Sequence, residues 1–375
     1  MNQVVNELLR KYCYRDGQKK QATQMIEIFQ PIYDYVLTNV LLTSLYACVM
    51  TIKNFCLSTA RFSTPFLIIS ITVAYLLYRK ISSQSAEPIT FWEGFIKLRS
   101  VYLHPSARID YIWLFVSRIV QYTILIPIFA LLFVPLMAFS SILTDLYVSL
   151  LGPINHMRSA GVGDLLFYGF LLIFSHDLGH YWVHRWFRTI PVVWECQKVH
   201  HSAQVLVPPT AVRVHPVEKI VGRFVSTVIN ILLISIVLYV YGDEITPMQI
   251  FGTNYAVVVS NSLSSNLRHT HIWFSFGPYL EYILSSPAQH QIHHSNDQRH
   301  FDKNFTVHFS FWDWMFGTLY RTSSKQENIT FGIGEEENKN YYSVWANMAY
   351  PFKASSALIT KRFKKPEIQP DHIKG

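Results

Sequence analysis

Histidines are concentrated in four short groups of this 375-residue sequence, and they are its clearest candidates for chemistry. The segment 286-SPAQHQIHHS-295 places three of its 16 histidines at positions i, i+3 and i+4, which share one face of a helix. The members of the four groups are His176, His180 and His184; His200 and His201; His269 and His271; and His290, His293 and His294. Such grouping indicates one shared site.

A bound metal explains this grouping best. Crowded imidazoles repel one another when protonated and are costly to bury when neutral and unpaired. A cation removes both problems, because neutral imidazole ligates iron, zinc, copper and nickel. Structural zinc usually takes four ligands and prefers thiolates, whereas catalytic zinc takes three. The histidines exceed what one zinc needs, and this excess predicts two metal ions with open coordination positions.

The composition predicts that these histidines lie beside a membrane. Half of the residues are hydrophobic and 15% are charged, whereas soluble proteins carry about a quarter charged residues. Several apolar stretches approach the roughly 20 residues that span hydrocarbon. They are Tyr35–Ile52, Thr64–Tyr78, Ile119–Leu143, Phe224–Tyr241 and Pro247–Leu263, with Leu165–Ser175 too short alone. We expect an all-α integral membrane protein, a bundle of about four to six transmembrane helices with the histidine-rich segments at the membrane surface.

The charged residues and cysteines support this placement. The net charge of +8 comes from basic residues at the ends of apolar stretches and in 361-KRFKK-365. Such residues are typical of cytoplasmic loops that meet anionic lipid, so no nucleic acid is expected. The cysteines Cys13, Cys48, Cys56 and Cys196 lack metal or disulfide spacing, which fits a reducing compartment. We expect a multi-pass protein whose N-terminus is not a cleaved signal and whose histidine groups face the cytoplasm.

The chain divides into three predicted parts. Residues 1–110 hold a polar lead-in, two membrane spans and a linker. Residues 111–320 form the catalytic domain, and residues 321–375 form a polar tail. Inside the apolar stretch 119–143, Pro127 and Pro135 predict a distorted helix, because proline removes a backbone donor.

An ordered set of motifs resembles the fatty acid hydroxylase/sterol desaturase superfamily of membrane di-iron oxygenases. The resemblance covers roughly Asp164 to Tyr320. Its motifs are 177-DLGHYWVHR-185, 200-HHSAQVL-206, 213-RVHPVE-218, 287-PAQHQIHHS-295, 302-DKNF-305 and 312-WDWMFGTLY-320. The nearest branches resemble bacterial sterol-desaturase-like proteins and, more distantly, the alkylglycerol monooxygenases.

This resemblance implies a cytosolic histidine-rich cap over the membrane helices, in which histidines hold two irons as a dimetal site. The implied ligands are His184, His200, His201, His269, His290, His293 and His294. Two positions depart from the family pattern, because Arg188 and Gln197 stand where histidines are expected. Arginine has no lone pair for a metal, whereas the Gln197 carbonyl oxygen can ligate weakly or hold a water.

Other residues are candidates for the missing positions or for supporting the ligands. His180, and after it His176, lie on the same helical stripe as His184 and are possible replacements, and His271 is an alternative to its neighbour His269. Asp177 and Asp302 are expected to orient ligating imidazoles, with helix capping or a loop salt bridge as the alternative.

The expected function is the O2-dependent hydroxylation or desaturation of a lipid such as a sterol, a fatty acyl chain or an alkylglycerol. The sequence has no GxGxxG run, iron–sulfur spacing or haem domain, so electrons must come from a separate reductase, ferredoxin or cytochrome, or from a reduced pterin. Two alternatives stay open: a lipid- or metal-binding protein that has lost catalysis through Arg188 and Gln197, and a membrane zinc hydrolase. A metal transport path is less favoured, because the histidines lie at span ends rather than inside spans.

Overall fold

The computed structural model describes residues 98–153, 161–241, 266–323 and 325–363, with short helical pieces between residues 68 and 76. Within these ranges the chain forms helices and no β-strand, and one isolated bridge pairs Ser295 with Phe331. The predicted all-α class is therefore confirmed. The predicted spans 35–52 and 247–263 lie outside the described residues, as does most of 64–78.

Among the described residues, five longer helices precede the last histidine group. They are α1 (Pro105–Val120), which continues through the π-helical turn Gln121–Leu125 into α2 (Ile126–Leu151), then α3 (Val162–Thr189), α4 (Pro191–His201) and α5 (Pro216–Tyr241). The helices that follow are α6 (Pro287–His294), α7 (Phe311–Met315), α8 (Glu335–Asn338) and α9 (Val344–Phe363). Short 3-10 turns connect several of them.

Three of the described helical segments are long and apolar enough to cross a membrane. They are Pro105–Phe129, Val162–Thr189 and Pro216–Tyr241. The apolar stretch 165–175 had been expected to be too short alone. The histidine-bearing residues that follow it continue the same helix and give it 28 residues. Long α3 therefore carries His184 directly from the apolar region to the site.

The distortion expected at Pro127 is a widened turn before the proline. The N–H of Ile126 bonds to the carbonyl of Gln121, five residues earlier, and Pro127 opens α2. A proline lacks an N–H and its ring clashes with the carbonyl four residues back, so a π-turn relieves both constraints.

Helices α3 and α5 pack closely, and α5 also packs on α2. Leu172, Ile234 and Val237 form the buried contact at one end of the α3–α5 pair. Nearer the site, a Cβ placed on Gly179 would lie 2.9 Å from Ser226 Oγ and 3.0 Å from Ser226 Cα. Small residues at such contacts let membrane helices approach closely.

The last described helix packs against α4. The Ser355 hydroxyl donates to the Val192 carbonyl (2.7 Å), and Lys198 forms ion pairs with Glu195 and Glu337. Residues 321–363, expected to be a polar tail, thus include a helix that covers α4. At the other end, α1 runs through the predicted domain boundary at residue 110, and the buried Asp110 pairs with Arg213 at 3.2 Å.

Candidate metal centre

Seven buried histidines form two adjacent groups. The four-histidine group consists of His200, His269, His290 and His294, and the three-histidine group of His184, His201 and His293. Within each group one ring nitrogen per residue lies within 4.8 Å of the others. Every member is at most 6% exposed, so water does not compete for these nitrogens.

Adjacent histidines in the sequence contribute to different groups. His200 and His201 end α4, and His293 and His294 end α6. Successive residues on a helix point in directions about 100° apart, so each pair divides between the two groups. The ring centroids of His201 and His294, which belong to different groups, are 4.7 Å apart. The paired histidines therefore place the two groups side by side.

Local sequence explains why α6 begins where it does. The Ser286 hydroxyl accepts from the Gln289 N–H (3.2 Å), and the Gln289 side chain accepts from the Ser286 N–H (2.9 Å). This capping box, with Pro287 in the first turn, starts a helix of only eight residues. Three of those eight residues are the grouped histidines.

The Nε2 atoms of neighbouring histidines face one another. The distance between Nε2 atoms is 2.9 Å for His290 and His269, and 3.4 Å for His269 and His200. In the three-histidine group, His293 and His201 are separated by 3.1 Å at the same atoms. Converging Nε2 atoms are the arrangement that a metal ion needs.

Backbone carbonyls set the tautomer of three ligands. The Nδ1–H groups of His184, His293 and His200 donate to the carbonyls of Phe305 (2.7 Å), Lys303 (2.8 Å) and Arg213 (3.2 Å). A carbonyl only accepts, so the proton sits on Nδ1 and the lone pair of Nε2 points into the group. Sequence reasoning had looked for aspartates in this role and missed the carbonyls.

Burial keeps these imidazoles neutral. Loss of solvation lowers the pKa of His200 to about 3, and also holds the pKa of His201, His290, His293 and His294 well below the usual value, with neighbouring imidazoles and cations adding to the effect. Neither ring nitrogen of His294 has a hydrogen-bond partner among the described residues. Buried, neutral and unpartnered nitrogens fit a pair of metal ions.

The structure leaves the candidate ligands His180, His176 and His271 outside both groups, and also His215 of the motif 213-RVHPVE-218. His180 and His176 lie one and two turns before His184 on α3 and belong to neither group; the His180 ring centroid is 5.2 Å from that of His184. His271 contacts the ring of Tyr102 instead (5.9 Å). His215 bonds to the Met348 carbonyl at 3.2 Å.

Arg188 is held by aromatic rings and a salt bridge. Its guanidinium lies 4.4 Å from the ring centroid of Trp194 and 5.4 Å from that of Phe301. Its Nε atom lies 3.7 Å from the Asp302 carboxylate. Asp302 therefore pairs with Arg188 instead of orienting an imidazole.

Asp177 likewise has another role. Its carboxylate accepts from the backbone N–H groups of Val307, His308 and Phe309 at 2.8–3.2 Å. It thus joins α3 to the loop that supplies the Phe305 carbonyl. The sequence analysis offered helix capping or a loop salt bridge as the alternative to imidazole contact, and did not predict these bonds to backbone N–H groups.

Two further side chains shape that loop. The Asp313 carboxylate accepts from the N–H groups of Phe305 (2.8 Å) and Thr306 (3.0 Å) and from two threonine hydroxyls. Asn304 has a positive φ of 56°, and its amide donates to the carbonyls of Gln289 (3.1 Å) and Tyr320 (3.0 Å). These contacts hold the loop against α6.

Glu218 is the site residue to which sequence reasoning assigned no role. When the Gln197 amide is oriented with its nitrogen toward Glu218, that nitrogen lies 2.7 Å from both carboxylate oxygens, and the amide oxygen lies 2.8 Å from His184 Nε2. Glu218 ends the motif 213-RVHPVE-218, which carried part of the family resemblance. The motif indicated that this segment belongs to the site, but it did not predict which of its side chains faces the histidines.

Comparison with known proteins identifies this region. The family model described as fatty acid hydroxylase matches residues 169–318, which contain both histidine groups. This part of the chain is a fatty acid hydroxylase domain. The resemblance inferred from the motifs is confirmed, and the hydroxylase domain lies within the predicted catalytic part of the chain.

Relatives of the hydroxylase domain act on lipids, by their names. The chain is 29% identical over 157 residues to alkylglycerol monooxygenase of Danio rerio (42% of this chain, 31% of the relative) and 28% identical over 160 residues to that of Homo sapiens (42% and 31%). It is 24% identical over 188 residues to very-long-chain aldehyde decarbonylase GL1-4 of Oryza sativa subsp. indica (49% and 29%). The match thus spans under a third of each relative. No solved structure matches the chain.

Proposed function

We propose that this protein is a membrane-bound di-iron oxidoreductase that uses O2 to hydroxylate or desaturate a lipid. One observation carries the proposal: two adjacent buried histidine groups whose Nε2 atoms converge. Imidazole ligands without thiolates suit iron, and seven of them exceed the needs of one ion. The names of the relatives favour a long-chain lipid as the substrate class.

Iron bound at both groups would supply the oxygen activation, and the protein would supply position and protection. His200, His269, His290 and His294 would hold one iron, and His184, His201 and His293 the other. The carbonyls of Phe305, Lys303 and Arg213 keep three of these rings in the ligating tautomer. An external reductase, ferredoxin, cytochrome or reduced pterin would deliver the electron pair.

Aromatic side chains beside the three-histidine group would keep water from the reaction. Tyr181, Phe305 and Trp312 are buried in one cluster with Trp182, Phe316 and other aromatic residues packed against it. A dry pocket strengthens electrostatic interactions and limits side reactions. The substrate would enter from the membrane side, because α3 carries both the apolar span and His184. We propose a multi-pass orientation with this site on the cytoplasmic side.

Metal content and oxygen use test the proposal. Detergent-purified protein should contain two irons per chain. It should consume O2 when it is given an alkylglycerol or a fatty acyl substrate together with a reduced electron donor. Turnover of substrate under anaerobic conditions without reductant would instead support a zinc hydrolase. Folded protein with one metal or none would overturn the di-iron mechanism.

One observation favours a second candidate, a lipid- or metal-binding protein without catalysis. Arg188 occupies a position where the family pattern has a histidine, and aromatic rings and Asp302 hold its guanidinium in place. If the wild-type protein is inactive, Arg188→His combined with Gln197→His would raise metal content or activity in a degraded enzyme.

A further inference from the structure

The side chain of Gln197 is buried between α3 and α5 and is in contact with both. It is fully buried. Its amide nitrogen has two carboxylate oxygens of Glu218 at 2.7 Å, and its oxygen has His184 Nε2 at 2.8 Å. A carboxylate accepts hydrogen bonds, so the amide nitrogen belongs on Glu218 and the amide oxygen on His184. Glu218 lies in the first turn of α5, where the helix dipole favours a negative charge.

The contact between Gln197 and His184 joins two acceptors. His184 already gives its Nδ1–H to the Phe305 carbonyl at 2.7 Å, so its Nε2 carries a lone pair. The Gln197 oxygen also presents a lone pair, and no proton of either neutral side chain lies between them. Two acceptors facing each other at 2.8 Å repel, and a cation beside both atoms would remove this repulsion.

The cation would be the one bound by the three-histidine group. His184 is a member of that group, and its ligand nitrogen lies within 4.8 Å of those of His201 and His293. The oxygen of Gln197, at 2.8 Å from His184 Nε2, therefore lies directly beside this group of imidazole nitrogens. With Glu218 ionised, the opposite amide orientation would set the Gln197 carbonyl against a carboxylate, so an ionised Glu218 keeps the oxygen on the His184 side.

We propose that the Gln197 side-chain oxygen is a ligand of the metal in the three-histidine group, and that Glu218 positions it. This inference rests on the proposed function, which requires a metal at that group. Gln197 stands where the family pattern has a histidine, so this position would still supply a metal ligand, an amide oxygen instead of an imidazole nitrogen. The two metal ions would then differ, one held by imidazoles alone and the other by three imidazoles and an amide oxygen.

Anaerobic titration of iron(II) into the metal-free full-length protein in detergent, followed by Mössbauer spectroscopy, tests the ligand. The wild-type protein should bind two irons per chain with two distinct quadrupole doublets. Gln197→Leu should bind one, with the doublet of the four-histidine group unchanged. Gln197→His should bind two irons and alter one doublet only. The matched control is Gln298→Leu, at an exposed position after α6, which should reproduce the wild-type result.

A second pair of variants tests the positioning role of Glu218. Glu218→Leu should weaken the second iron about 10- to 100-fold, the usual cost of losing a residue that orients a ligand. Glu218→Gln, which still offers an oxygen acceptor, should recover most of that affinity. A structural role alone would lower the melting temperature without changing one doublet selectively.

Several outcomes would overturn the inference. Two irons of wild-type affinity in Gln197→Leu, or two unchanged doublets in Gln197→His, would show that Gln197 is not a ligand while the di-iron proposal stands. If Gln197→Leu does not fold, the Gln197→His spectrum decides. Fewer than two irons in the folded wild-type protein would overturn the di-iron proposal and this inference together.

Discussion

At the scale of single residues, the two ring nitrogens of the grouped histidines have different partners. Nδ1 of His184, His200 and His293 contacts the protein backbone, and Nε2 faces the other histidines. The residue types and their spacing predicted a metal site from sequence alone. The division of each adjacent pair between two groups could not be predicted, because it depends on how α4 and α6 are rotated against each other.

A pair of alanine variants separates a member of the groups from a histidine beside them. His201→Ala should lose one of two metal ions per chain, because His201 belongs to the three-histidine group. His180→Ala should retain both, because His180 lies a turn away and outside the groups. Elemental analysis of both folded variants makes the comparison. Loss of a metal ion in His180→Ala would show that His180 is a metal ligand.

Acid should destabilise the metal-free protein. The pKa of His200 is lowered to about 3 when folded and is near 6.5 when unfolded. The unfolded chain therefore binds more protons between these values. Stability is fully present above about pH 6.5 and falls as the pH drops toward 3, by roughly 1.4 kcal/mol per pH unit for each extra proton.

The apparent melting temperature of the metal-free protein should accordingly be lower at pH 5 than at pH 7.5. With metal bound the fall should begin at lower pH, because protons must first displace the metal. Equal melting temperatures at the two pH values would contradict buried neutral histidines.

At the scale of helices, the contact between α3 and α5 aligns His184 with Glu218. Both helices are apolar, and they approach closely at Gly179 and Ser226. The sequence predicted that these segments are apolar, but the polar motif around His184 was not recognised as a continuation of the span. The packing role of Gly179 could not be predicted from the sequence, because it depends on which helix faces this position.

Gly179→Ala should destabilise the protein. The added Cβ would lie 3.0 Å from the backbone of Ser226, so the helices must separate, at a cost of about 1–3 kcal/mol. We expect a lower melting temperature and weaker metal binding at the three-histidine group. Gly222→Ala on α5 is the control, since its Cβ would meet only Val183 at 3.9 Å. Equal effects of the two changes would argue against a tight α3–α5 contact.

At the scale of the whole molecule, the hydroxylase domain is completed by segments outside the family match. Asp110 on α1 pairs with Arg213, whose carbonyl accepts from His200. Helix α9 covers α4, which carries His200 and His201. The family resemblance could predict the histidines but not these supports, because they lie beyond residue 318 or before residue 169.

Removal of α9 should therefore weaken the metal centre without touching a histidine of either group. A chain that ends at Ser343 loses the hydrogen bond from Ser355 to Val192 and the partner of His215, Met348. We expect a lower melting temperature and faster metal loss to a chelator. A chain that ends at Phe363 keeps α9 and is the control. Unchanged metal retention in the shorter chain would show that α4 is held without it.

The backbone angle and the side-chain hydrogen bonds of Asn304 together limit which amino acids can occupy this position. Its φ of 56° favours glycine, asparagine or aspartate. Its side chain donates to two carbonyls and accepts from the Tyr320 N–H at 2.7 Å. Glycine has no side chain to make these bonds, and an aspartate carboxylate has no hydrogen to donate. Only asparagine among the twenty meets both demands, so one letter at this position reports whether a related sequence can build the same loop beneath its histidines.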